Sequence, residues 1–120
     1  MIFVKDISSE KEERDGIVYV DVFDCGHFRL TGLPWKETNR NYHRLDDRMA
    51  DILPTGLKRR TNSTSGAQVS FKTDSSVISV HIVRNSPEFM EHMCDNSTCG
   101  LDIYVGEGSN KKFWHVCCCY

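Results

Sequence analysis

The cleanest alternation of apolar and polar positions lies in the second half of the chain. In "SSVISVHIVRN", Ile78, Val80 and Ile82 share one phase, and Ser79 and His81 share the other. That period of two is the mark of a strand with one buried face. "AQVSFKTD" reads as a neighbouring strand carrying Val69 and Phe71 inward, joined to the next at Asp74-Ser75. "LDIYV" places Leu101, Ile103 and Val105 on the buried phase and Asp102 and Tyr104 on the outer one. The turn Gly106-Glu107-Gly108 then leads into "KKFWHV" as a hairpin partner. Nearer the N-terminus, "IVYVDVF" is β-branched and aromatic, with Val18, Val20 and Val22 expected inward. "HFRLTG" reads as a short strand ended by Gly32.

One segment has helical spacing. Between His43 and Leu53, Leu45, Met49 and Ile52 fall at i, i+4 and i+7, and Pro54 closes the segment. The preceding "LPWKETNRNYHRL", punctuated by Pro34 and two Asn, reads as a structured loop carrying Trp35 and Tyr42. "SPEFMEHMCDNSTCG" reads as a long loop or single helical turn around Met90, His92 and Met93. Short strands separated by turn clusters predict a mostly-β fold, an antiparallel β-sandwich with one short helix. The expected core joins Val69, Phe71, Ile78, Val80, Ile82, Leu101, Ile103 and Val105.

Composition narrows the function classes. A chain of 120 residues, 39% hydrophobic and 27% charged, fits one globular domain. Fifteen Lys and Arg against seventeen Asp and Glu give a net charge of -2, so nothing points to nucleic acid. Lys58-Arg59-Arg60 is read as a solvated turn. No apolar run approaches the ~18 residues of a membrane-crossing helix, and no membrane partner is expected. The start at Met1 lacks a secretory apolar region, which predicts a cytoplasmic location. The six cysteines are then read as buried thiols, since Cys117-Cys118-Cys119 would alternate between strand faces. The sequons at Asn62 and Asn96 are read as chance matches in polar loops.

Three catalytic or binding motifs are suggested by the residues, and none has the context its chemistry needs. Ser75 in "TDSS" is followed by a strand pattern, so no helix N-terminus serves an oxyanion there, and Asp74 and Ser75 read as turn residues. His92, Cys94 and Cys99 with His115 or Cys117 lack the C-x2-C spacing that marks a zinc site. Gly106-Glu107-Gly108 is not followed by a helix, which removes a phosphate loop. No catalytic residue, metal or cofactor is therefore expected. Trp35, Tyr42, His92, Asp102 and Tyr104 are instead the candidates for a substrate or domain-interface surface, because Tyr and Trp beside carboxylates suit sugars and protein interfaces alike.

"LTGLPW", "YHRL", "SGAQVSFKTDSSVISVHI", "MEHM" and "GLDIYV" occur in the order of a known domain. Over roughly Phe28 to Val116 the chain resembles the N-terminal Gly-x-Asp-Leu-Tyr domain of SGNH-hydrolase-type esterases. Gly100, Asp102 and Tyr104 match that signature, with Ile103 for its leucine, and Asp74 and Ser75 fall within the matching segments. Glu91, where proline is expected, and the cysteine-rich tail depart from the pattern.

The resemblance implies a jelly-roll-like domain placed before a catalytic α/β domain that holds the Ser-His-Asp machinery. The Gly-Asp-Ser block of such a catalytic domain is absent from this sequence, and the single Asp-x-x-His spacing, Asp24 to His27, has no Gly-Asp-Ser block ahead of it. Residues 1–120 are therefore expected to be a single accessory domain cut from a longer chain, consistent with an end inside the apolar "FWHVCCCY". Its partners would be the downstream catalytic domain and an acylated carbohydrate. The alternative is a free-standing, lectin-like carbohydrate-binding sandwich.

Overall fold

The computed structural model of the chain describes residues 2–4, 12–14, 16–83, 91–94, 97–98 and 100–117. Contacts group the chain into two units, Met1–Val83 and Arg84–Tyr120.

Among its described residues the first unit holds six short strands and two short helices. Strand β1 (Ile2–Val4) pairs in parallel with β6 (Val80–Ile82). β2 (Glu12–Arg14) pairs antiparallel with β3 (Ile17–Tyr19), and β4 (Arg29–Thr31) antiparallel with β5 (Gln68–Ser70). The β4–β5 register sets Leu30 opposite Val69, so both side chains share one face. On that face the core gathers. Val22, Leu30 and Leu33 are buried, with Phe23, Phe28, Tyr42, Ala67, Val69, Phe71 and Val80 packed against them. Phe28 meets Phe71 edge-on at 5.3 Å between centroids, a favoured ring geometry.

The first predicted strand is shorter than its apolar run. β3 stops at Tyr19, and the Asp21 carboxylate accepts a hydrogen bond from the Phe23 N–H at 2.7 Å. That local bond competes with a sheet ladder and turns the chain. The inward phase is consequently not carried through: Val22 is buried while Val18 is exposed. The expected strand over residues 76–83 is likewise reduced to Val80–Ile82. The Asp74-Ser75 link is held by the Thr73 hydroxyl, which accepts from the Ser75 N–H at 3.0 Å.

Helix falls elsewhere than predicted. The segment from His43 to Leu53 forms only a 3-10 turn, Asp47–Met49, capped by the Asp46 carboxylate on the Arg48 N–H. Met49 and Ile52 are exposed, so the i, i+4, i+7 spacing does not mark a buried face. Pro54 opens a helix instead of closing one: α2 (Thr55–Arg60) follows it, and the Pro54 carbonyl accepts from Leu57 and Lys58. Proline suits that place because a helix start leaves its missing N–H without consequence. A further turn of helix, α1 (Lys36–Asn39), lies within the expected loop and ends at Arg40, whose φ of 55° is left-handed.

The second unit is built on one hairpin, β7 (Leu101–Val105) with β8 (Lys112–Cys117). Both strands and their glycine turn lie where the alternation placed them. Within the expected core, Ile78 and Val105 are exposed, while Leu101 and Ile103 are half-buried. Among the described residues the regular structure is thus mostly strand, with few helical turns. Three of the four strand pairs are antiparallel, and no closed barrel forms among these residues. Met90, Cys99, Cys118 and Cys119 lie outside the described residues.

Candidate functional site

In the first unit, Trp35 and Tyr42 bracket α1. Trp35 precedes the helix, and its carbonyl accepts from the Thr38 and Asn39 N–H groups at 3.1 and 2.8 Å. Its side chain is exposed. Tyr42 turns the other way, packing against the core and meeting Phe23 edge-on at 4.8 Å. Its hydroxyl oxygen is buried and has no hydrogen-bond partner among the described residues. Burial pushes the phenol well above its usual pKa, and the nearby Asp21 charge adds to the shift. Burial also raises the Asp21 carboxyl, opposed by the Phe23 N–H that it accepts.

The chain around Tyr42 is ordered by polar side chains. Arg40 reaches Asp24 at 3.0 Å and lies over the Phe23 ring at 5.9 Å. Asn39 donates to the Leu45 carbonyl at 2.7 Å and accepts from the Asp47 N–H at 3.1 Å. His43 Nδ1 sits 2.6 Å from an Asp47 oxygen. The buried Asp46 carboxylate accepts from Arg48 Nε and Nη2, which holds its pKa below the ordinary value. These contacts position a loop. They do not assemble a nucleophile, base and oxyanion donor.

In the second unit, Gly100 immediately precedes β7, and Asp102 and Tyr104 project from the strand on its more exposed side. Ile103 stands between them, half-buried, opposite His115. The Gly-x-Asp-Ile-Tyr signature is therefore a strand entry with two outward polar positions around one inward apolar position. Residues 17–119 match the family described as GxDLY, N-terminus of Esterase_SGNH_hydro-type. The chain belongs to this family. Neither a curated protein nor a solved structure matches it significantly.

Asp102 and Tyr104 are the two candidate residues of the GxDLY domain that one element brings together. His92 lies exposed in the turn of residues 91–93 of the same unit. Asp74 and Ser75, both exposed, lie in the first unit, as do the exposed Trp35 and the half-buried Tyr42. Among the described residues, no group of three or more His, Cys, Asp or Glu could hold a metal ion.

Two residues of the hairpin escaped the sequence reading. Phe113 packs edge-on against Tyr104 at 5.7 Å, and Trp114 is more exposed than either. The cause is a register shift. Ile103 pairs with His115 but Tyr104 pairs with Phe113, so Trp114 is an extra residue in β8. Simple alternation along "KKFWHV" separates Phe113 from Val116 by face. The extra residue instead puts both beside Asp102 and Tyr104.

Proposed function

We propose that this GxDLY domain is a non-catalytic N-terminal domain of an SGNH-type serine esterase. It packs on the catalytic domain that follows and helps bind an acylated carbohydrate, with Trp35, His92, Asp102 and Tyr104 serving those surfaces, whereas Tyr42, expected among them, packs against the core of the first unit. In this reading residues 1–120 act as one accessory domain, a jelly-roll-type sandwich working in the cytoplasm. The observation that carries it is the family match across residues 17–119 to the N-terminal part of such esterases. The lack of a Gly-Asp-Ser block in the sequence, which leaves Asp24-x-x-His27 without a serine partner of that kind, supports a division of labour between domains.

The test compares the 120-residue chain with the polypeptide extended through its downstream domain, using nitrophenyl acetate. One oxyanion donor is worth ~10²–10³ in turnover, so the short chain, lacking the whole constellation, should not exceed a generic protein. The extended chain should be active and lose activity when its own serine is replaced. Turnover by the short chain that Ser75→Ala abolishes would overturn the proposal.

A further inference from the structure

We infer that the aromatic side of the β7–β8 hairpin, formed by Tyr104, Phe113 and Trp114, is where the following esterase domain docks. The inference rests on the accessory-domain reading and names its surface. These residues are 55%, 56% and 63% exposed, and they cluster on one two-stranded ribbon. Exposed apolar clusters of this kind mark interaction sites, and aromatic side chains are the usual anchors of protein interfaces. The Tyr104–Phe113 edge contact already fixes two of the rings, which lowers the ordering cost of association. Asp102 stands beside them as a polar neighbour at the rim.

The family architecture supplies the occupant. The match runs through β8 to residue 119, and the family is the N-terminal part of an esterase. The polypeptide leaving β8 in such proteins therefore leads toward the rest of the enzyme. A tethered domain meets the hairpin at an effective concentration of roughly millimolar. A second copy of the chain, arriving from dilute solution, competes poorly against that.

Hydroxyl-radical footprinting of the unsubstituted protein tests this without relying on a variant. Oxidation of Tyr104, Phe113 and Trp114 should fall several-fold in the two-domain polypeptide relative to the 120-residue chain. Cutting the linker should leave the domains co-eluting, and Trp114→Thr should separate them. If the cut domains co-elute while the three residues stay equally oxidised, another face docks: the inference fails and the accessory reading stands. Domains that separate without any substitution, or a gene with no downstream esterase domain, sink both. Protection already present in the 120-residue chain overturns the inference, whether it depends on concentration, as for a second copy, or not.

Discussion

Replacing Gly32 with alanine probes the joint that holds the first unit's core together. Gly32 has φ +83°, and a β-carbon there would lie 2.1 Å from the Gly66 carbonyl oxygen, 2.9 Å from its carbon and 3.1 Å from Ala67 Cα. All three obstacles are backbone atoms, so no side-chain rotation relieves them. Gly32 also sits between Leu30 and Leu33, two of the buried residues. Any backbone shift is therefore transmitted into the core on both sides and into the Thr31–Gln68 pairing.

Two costs combine. Holding a residue with a β-carbon at positive φ costs about 1–2 kcal/mol. Forcing extra volume into a packed joint costs about 1–3 kcal/mol, so Gly32→Ala should lose about 2–5 kcal/mol. Gly66→Ala is the matched control: φ there is +91°, but a β-carbon would meet nothing within 4 Å. It should show only the conformational part, about 1–2 kcal/mol. Urea unfolding followed by circular dichroism reads both, provided the slope is unchanged. Equal losses for the two variants would refute the steric argument and mean that the loops do not approach each other in this way.

Two further outcomes test the packing and the electrostatics. Leu30 is 5% exposed and Ile52 76% exposed; Leu30→Ala should cost ~2–5 kcal/mol and Ile52→Ala less than ~0.5 kcal/mol, and a reversed order in urea midpoints would restore the helical face over residues 43–53. Asp46, held below its ordinary pKa by Arg48, contributes stability above the unfolded-state pKa of ~3.9 that is lost as pH falls through the folded value. The gap in urea midpoint between the parent chain and Arg48→Ala should thus be full above about pH 5 and shrink below about pH 4; a pH-independent gap would remove the pair as its source.

The β7–β8 hairpin was legible because two independent signals agree there. Alternation over Leu101–Val105 fixes the faces, and the glycine turn fixes where the chain reverses. The first unit was less legible because its order comes from side chains that bond the backbone, and spacing does not reveal such bonds. Asp21 on the Phe23 N–H ends an apolar run that reads as strand. Asn39, bonded to Leu45 and Asp47, draws the residues after α1 into a loop where apolar spacing suggests helix. Asp46 and Arg48 do the same one turn later. Of the candidate surface, Asp102 and Tyr104 were visible as an outer phase. Phe113 and Trp114 were not, since a register shift carries no pattern in a six-residue strand.

The signature and the register shift are one device seen from two sides. In a hairpin, a slip of one residue sends every side chain to the opposite face. The outward placement of Asp102 and Tyr104 therefore depends on where the turn begins. Gly106 sets that point: its φ of +135° and the 2.7 Å that would separate a β-carbon from the Asn110 carbonyl oxygen restrict the position to glycine. From that turn, β8 runs back in register with Tyr104 through Phe113 and then takes in Trp114 as one extra residue. Without the extra residue, Phe113 could face Tyr104 or Val116 could face Asp102, but not both. With it, the pairs Leu101–Cys117 and Ile103–His115 coexist with an aromatic pair, Tyr104–Phe113, on the other face. The side carrying half-buried Leu101 and Ile103 thus stays distinct from the exposed side carrying Tyr104 and Phe113, so the signature and the register shift together set which side chains share a face.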